Sequence, residues 1–280
     1  MKKFSGVITA IITPFKNDNV DYESLEKLVQ HQLKGGVQGF VVHGTTGESP
    51  TVTGNERKKI FDFIKSKVPK GFPLIVGTGS NSTAQTIESS KEAEAWGADA
   101  VLLVVPYYNK PPQRGLFEHF KAVASSIHIP AILYNVPGRT ITALELDTIK
   151  KLSEHPSIIG IKEASGNVEF AKQIRQVCGE SFLLLSGDDG TYDDFMKAGG
   201  DGVISVASHI IPQAFLNREA SKSLPLIDLL FCEANPMPVK MALHLMGVIE
   251  TPDCRLPLMT LSESNKEKLK KAMIEKGLLK

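Results

Sequence analysis

Lys162 is the residue from which a chemistry can be built. It stands in IIGIKEASGN, residues 158–167, directly after an isoleucine-rich run with no turn residue before the amine. Such a run reads as a strand covered on both faces, and a lysine at its end is poorly placed for packing alone. An amine held in a low-dielectric pocket gives up its proton more readily than one in water. The free amine attacks a ketone to form a Schiff base, which then acts as an electron sink. The plainer alternative is a lysine whose stem lines the strand while its head reaches solvent.

Other polar residues follow similar apolar runs. Tyr134 ends AILYN, and a phenol beside an imine can shuttle protons to the carbinolamine and enamine; it could equally be a core aromatic with a backbone partner. Thr45 and Thr46 sit in HGTTGES, a glycine-flanked turn whose amides and hydroxyls suit a carboxylate, or whose glycines merely serve the turn. Arg139, after a proline–glycine turn, projects from a loop and suits a planar carboxylate, unless it is an ordinary surface arginine. Asp188 and Asp189 read first as N-caps of the next helix. Two carboxylates there also argue against a phosphorylated substrate. His43 and Glu48 read as structural supports of the threonine turn.

Positioning these groups requires a repeated frame. Eight short apolar runs (6–13, 37–44, 72–79, 98–106, 130–135, 158–164, 182–188 and 202–208) alternate with amphipathic stretches. Asp21, Asn55, Ser82 or Thr83, and Asn167 supply helix starts, and glycines supply stops. The pattern predicts an α/β (β/α)8 barrel over 1–208, the reactive groups gathering at the C-terminal ends of its strands. Residues 209–280 read as a C-terminal helical extension that includes the last barrel helix, with candidates at Pro236–Gly247 and Leu261–Gly277. A doubly wound sheet is the runner-up, but GTGSNS at 77–82 lacks the last glycine of a dinucleotide turn.

Composition excludes several classes. A chain 42% apolar, 22% charged and with net charge +1 gives no electrostatic reason to expect nucleic acid or an acidic membrane. The N-terminal MKKFSGVITAIITPF lacks a cleavage site and reads as a first strand rather than a signal peptide. No run approaches the roughly 18 apolar residues of a membrane span. Cys178, Cys232 and Cys254 stand far apart, as expected of reduced thiols in the cytoplasm. The histidines show no metal-ligand spacing, and no G-x-S-x-G elbow appears.

Taken in order, AIITPF, GTTGES, GTGSN, PYYNKP, YNVPGRT, GIKEASGN, SGDD, GVISV, NPMPVK and CRLPL resemble the dihydrodipicolinate synthase family of pyruvate-dependent class I aldolases over nearly the whole chain. The resemblance implies a lyase acting at the first committed step of diaminopimelate and lysine biosynthesis. Lys162 would carry pyruvate as a Schiff base, with no metal or coenzyme. Thr45, Tyr134 and Tyr108 would form the proton relay, Tyr108 reaching into a neighbouring subunit's site. Thr46 would hold the pyruvate carboxylate and Arg139 that of aspartate semialdehyde, while backbone at Gly187 and Ile204 lines the pyruvate pocket. The shared tyrosine implies a homodimer or homotetramer.

Two departures stand out. Lysine-inhibited relatives use two histidines and a glutamate in an effector cleft, where this chain has Gly54, Arg57 and Gln85 beside Ser49, Asn81 and Tyr107. Loss of the carboxylate and gain of a like charge predict weak lysine feedback. Relatives also carry roughly a dozen more residues between SHIIPQAF and LFCEANPMPVK, about one average helix; either a helix is truncated here or residues are absent. Two rival functions remain. A sister aldolase acting on sialic acid or a keto-deoxy sugar acid would keep the lysine and tyrosine but differ at the second substrate. A non-catalytic barrel would be expected to lose Lys162, Tyr134 or Thr45.

Overall fold

The computed structural model describes residues 3–279; Met1, Lys2 and Lys280 lie outside the described residues. Eight parallel strands close into a barrel. They are β1 (Gly6–Ala10), β2 (Gly39–Val42), β3 (Leu74–Gly77), β4 (Ala100–Val104), β5 (Ala131–Asn135), β6 (Ile158–Glu163), β7 (Leu183–Ser186) and β8 (Gly202–Ser205). All eight predicted runs contain one of them, and β1 closes the barrel against both β2 and β8. A two-stranded ladder pairing Phe15–Lys16 with Asn19–Val20 was not foreseen; its strands are too short to carry a periodic signal.

Seven helices follow the first six strands: α1 (Tyr22–Lys34), α2 (Gly54–Lys67), α3 (Thr83–Trp96), α4 (Gln113–Ala124), a single turn α5 (Pro137–Thr140) with α6 (Leu146–Ser153), and α7 (Val168–Cys178). After β7 comes α8 (Tyr192–Lys197). Asp21, Ser82 and Asn167 cap α1, α3 and α7 through their side chains, as expected. Asn55 does not cap α2: Thr53 does, in a reciprocal pair with Glu56 that outcompetes the later asparagine. Arg139 lies in α5 rather than in an open loop, because Pro137 at its first position is preset for a helical turn.

The side chains of each strand alternate between two apolar layers. Residues such as Ile8, Val41, Ile132, Leu185 and Ile204 fill the barrel interior, while Phe40, Leu133, Ile161, Leu184 and Val203 pack outward with the helices. This period of two decides the direction of the reactive groups. Tyr134 belongs to the inner set, and Lys162, next after outward-packed Ile161, turns inward as well.

Beyond β8 the chain forms α9 (Pro212–Leu216), α10 (Leu224–Leu229), α11 (Met237–Leu245) and α12 (Glu263–Glu275). The segment read as shortened is continuous. It passes from α9 through a 3-10 turn at Ala220–Ser223 directly into α10. Asp193 of α8 secures that turn by accepting from the backbone N–H groups of Ala220 and Ser221. Among the described residues, no helix is long and apolar enough to cross a membrane.

Candidate active site

β5 and β6 are paired neighbours, with Tyr134 opposite Lys162. Lys162 is 7% exposed, and its Nζ lies 4.2 Å from the centroid of the Tyr134 ring. Both line a cavity of about 590 Å³ at the C-terminal ends of the strands, the face where barrel chemistry is expected. Gly187, just after β7, lines the same cavity. A Cβ there would come within 2.7 Å of Lys162 Cε, so the lysine stem lies across a position only glycine leaves open. The next inner position, Ile204 on β8, also lines the cavity.

Thr45 and Thr46 reach this cavity from a 3-10 turn, Thr45–Gly47, that ends at Glu48 in the left-handed conformation. Arg139 reaches it from α5, exposed at the rim. One contributor escaped the sequence reading. Asn235, from the extension, is buried beside the cavity, and its Nδ2 donates to Thr46 Oγ1 at 2.9 Å. Its Oδ1 has no hydrogen-bond partner. NPMPVK could be matched as a segment, but no spacing rule ties an amide in a helical appendage to a turn after β2.

The two aspartates after β7 do different work from that expected. Asp188 lines the cavity and accepts from the backbone N–H and hydroxyl of Thr191, so its carboxylate secures the entry to α8 without being the cap residue. Asp189 does not cap α8 at all. Fully buried, it accepts from the backbone N–H groups of Val206 and Ala207 beyond β8. Burial pushes its carboxyl up to about 6, against the pull of those bonds. Glu163 turns away from the cavity, as strand alternation requires, and accepts from Asn135 Nδ2 at 2.7 Å. Burial raises its carboxyl as well.

Tyr108 is 88% exposed at φ +75° and lies outside the lining of this cavity. Ser49 lines the cavity. Gly54 opens α2 exposed, Gln85 is exposed on the first turn of α3, Tyr107 is partly exposed, and the Asn81 carbonyl accepts from Asn109 Nδ2. Arg57 is more constrained than an outward-facing charge: its guanidinium donates to the Gly77 carbonyl at 2.7 Å, and burial lowers its pKa. His43 Nε2 donates to the Arg57 carbonyl, a bond that ties the end of β2 to α2 rather than to the threonine turn. All three cysteines are free thiols, and Cys232 is exposed at the cavity mouth.

A sequence profile described as the dihydrodipicolinate synthetase family matches residues 3–276. The chain belongs to that family. It is 54% identical to a 4-hydroxy-tetrahydrodipicolinate synthase of Bdellovibrio bacteriovorus, over the full length of both chains. That match spans 293 positions, 13 more than the 280 residues here. Among solved structures of the family, the dihydrodipicolinate synthase of Thermotoga maritima superposes with a TM-score of 0.96 at 41% identity, covering 99% of this chain and 100% of that one. The chloride-inhibited dihydrodipicolinate synthase of Acinetobacter baumannii complexed with pyruvate gives 0.95 at 43%, covering 98% and 99%.

Proposed function

We propose that the chain condenses pyruvate with L-aspartate 4-semialdehyde through a Schiff base on Lys162, giving 4-hydroxy-tetrahydrodipicolinate. The observation that carries this reading is a buried amine facing both the Tyr134 ring and a cavity, in a chain of this family. The Lys162 amine attacks the pyruvate ketone, and water leaves as the imine forms. Loss of a methyl proton gives the enamine, whose carbon attacks the semialdehyde carbonyl. The substrate's own amine then displaces Lys162 as the ring closes. Tyr134 and Thr45 move the protons. Thr46 holds the pyruvate carboxylate, with the Gly187 and Ile204 backbone beside it, and Arg139 takes the carboxylate of the second substrate.

Tyr108, too exposed to serve its own cavity, completes the relay of a neighbouring subunit in a homodimer or homotetramer working in the cytoplasm. Lysine feedback is weak, because Gly54, Arg57 and Gln85 offer an incoming ammonium no carboxylate and Arg57 is already engaged with Gly77. Strong inhibition by millimolar lysine in initial-rate assays would contradict this.

Borohydride reduction in the presence of pyruvate, followed by peptide mass spectrometry, tests the central claim. A pyruvyl adduct on Lys162 is expected, and its absence overturns the reading. Arg139→Ala is expected to spare trapping while lowering condensation by roughly 10²-fold. Turnover of sialic acid in place of aspartate semialdehyde would point instead to a sister aldolase.

A further inference from the structure

The GTTGES turn is gripped from below by a second buried lysine. Lys240, on α11, and Glu48 form an ion pair in which the side chains are 0% and 1% exposed. The other Glu48 oxygen accepts from the Arg255 backbone N–H at 3.0 Å, and Lys240 Nζ also donates to the Asp253 carbonyl at 2.7 Å. Both cations lie against Phe15, with Lys240 Nζ and Arg255 Cζ each 4.3 Å from its ring centroid. Directly before Glu48, the Gly47 carbonyl accepts from Thr13 Oγ1 and Thr46 accepts from Asn235. Three successive residues of the turn are therefore held at fixed points, two of them by the extension.

We infer that Lys240 is a positioning residue for the reaction, fixing Thr45 and Thr46 through Glu48. This rests on the Schiff-base reading above. Glu48 closes the 3-10 turn at φ +54°, so backbone and carboxylate are fixed together. With Lys240 removed, the buried carboxylate either takes a proton or moves toward another donor. Either response shifts the threonines that line the cavity. Lys162, anchored on β6, is untouched. The extension thereby sets the geometry of proton transfer without meeting the substrate at this residue.

The test compares Lys240→Met, Lys240→Arg and the double variant Glu48→Gln/Lys240→Met with wild type. Thermal midpoint, kcat, KM for pyruvate and borohydride trapping are measured on each. Removing both charges is expected to bring the thermal midpoint back toward wild type. Lys162 is still expected to be trapped fully at saturating pyruvate, with kcat lowered on the order of 10²-fold. Lys240→Arg, which keeps the charge, is expected to recover part of the rate. A double variant that turns over like wild type overturns the inference and leaves the pair a structural one. Should that variant not fold, Glu48→Asp carries the same test: a carboxylate one methylene shorter is expected to lower kcat with little change in midpoint, and an unchanged kcat overturns the inference. A wild-type chain that forms no pyruvate adduct overturns the parent reading and this inference with it, whereas failure of the variants alone overturns only the inference.

Discussion

The protein buries two lysines against aromatic faces, and they have opposite surroundings. Lys162 Nζ stands 4.2 Å from the Tyr134 ring centroid and Lys240 Nζ 4.3 Å from that of Phe15. The Lys240 amine is bound to the Glu48 carboxylate and a backbone carbonyl in a sealed region. Among the described residues, no carboxylate lies within ion-pair distance of Lys162, which faces a cavity instead. An amine with a carboxylate fixed on it is a structural cation; one that faces a ring and open volume is free to meet a carbonyl. Burial and ring contact are common to both, so neither makes a nucleophile. The partner decides.

The largest expected effect comes from removing the unpartnered amine. Lys162→Ala is expected to abolish pyruvate trapping and lower turnover by about four orders of magnitude or more, since no other group supplies the covalent step. Its thermal midpoint should stay within a few degrees of wild type, because no ion pair is broken. A strongly destabilised Lys162→Ala would erase the contrast between the two sites.

The partnered amine should behave in the opposite order. Lys240→Met leaves Glu48 buried without its cation, which costs about 3–5 kcal/mol. Chemical denaturation would show the lowered midpoint before any assay of activity. A loss below about 1 kcal/mol would mean that water or a rearranged donor reaches Glu48, and the region would then not be sealed.

Much of the first site was legible from sequence, and almost none of the second. Strand period and strand order sufficed to put Lys162 beside Tyr134, because consecutive strands in a closed parallel barrel are neighbours and alternate side chains share a face. Thr45, Thr46, Arg139 and Gly187 could be placed by the same rule, since barrel loops emerge at one end, whereas Ile204, inside its strand, was implied only by the family resemblance. Asn235, Lys240 and Arg255 follow no such rule. They come from helices and loops whose docking depends on shape rather than on repeat, and their partners lie some two hundred positions away. Asp189 failed for a related reason. A side chain three residues past a strand reads as a local cap, whereas it serves the loop after the next strand. Local chemistry was readable; long-range pairing was not.

A third buried base, with backbone groups as its partners, shows what burial does to a titratable side chain. His209 is fully buried. Its Nε2 accepts from the Ile12 backbone N–H and its Nδ1 donates to the Val206 carbonyl, so a second proton would displace a backbone donor. Burial accordingly depresses it from 6.5 to about 4. The stability it contributes is present above pH 6.5 and is lost as pH falls toward 4, by about 3 kcal/mol. Asp189 works the other way, because its raised carboxyl takes up a proton in the folded state between about 6 and 3.8. The measurement is therefore a difference. Unfolding free energy followed by urea from pH 7 to pH 4 should fall less steeply in His209→Gln than in wild type, and parallel curves would assign the acid sensitivity to other groups.

The smallest effect is expected at the outer edge of the sealed region, where Glu56 serves two masters. One of its oxygens accepts from both the Thr53 backbone N–H and the Thr53 hydroxyl, completing the cap of α2. The same carboxylate receives the Arg255 guanidinium, which holds it at about 2. Thr53→Ala removes the hydroxyl but leaves the backbone bond and the arginine contact, so only part of the cap is lost, about 1 kcal/mol. Thr53 does not line the cavity around Lys162, and kcat and pyruvate trapping should match wild type. If instead the threonine change slowed turnover while costing this little stability, strain at the start of α2 would be reaching the Thr45–Gly47 turn through Arg255 and Glu48. The boundary between the surroundings of Lys162 and those of Lys240 would then be more permeable than their separate contacts imply.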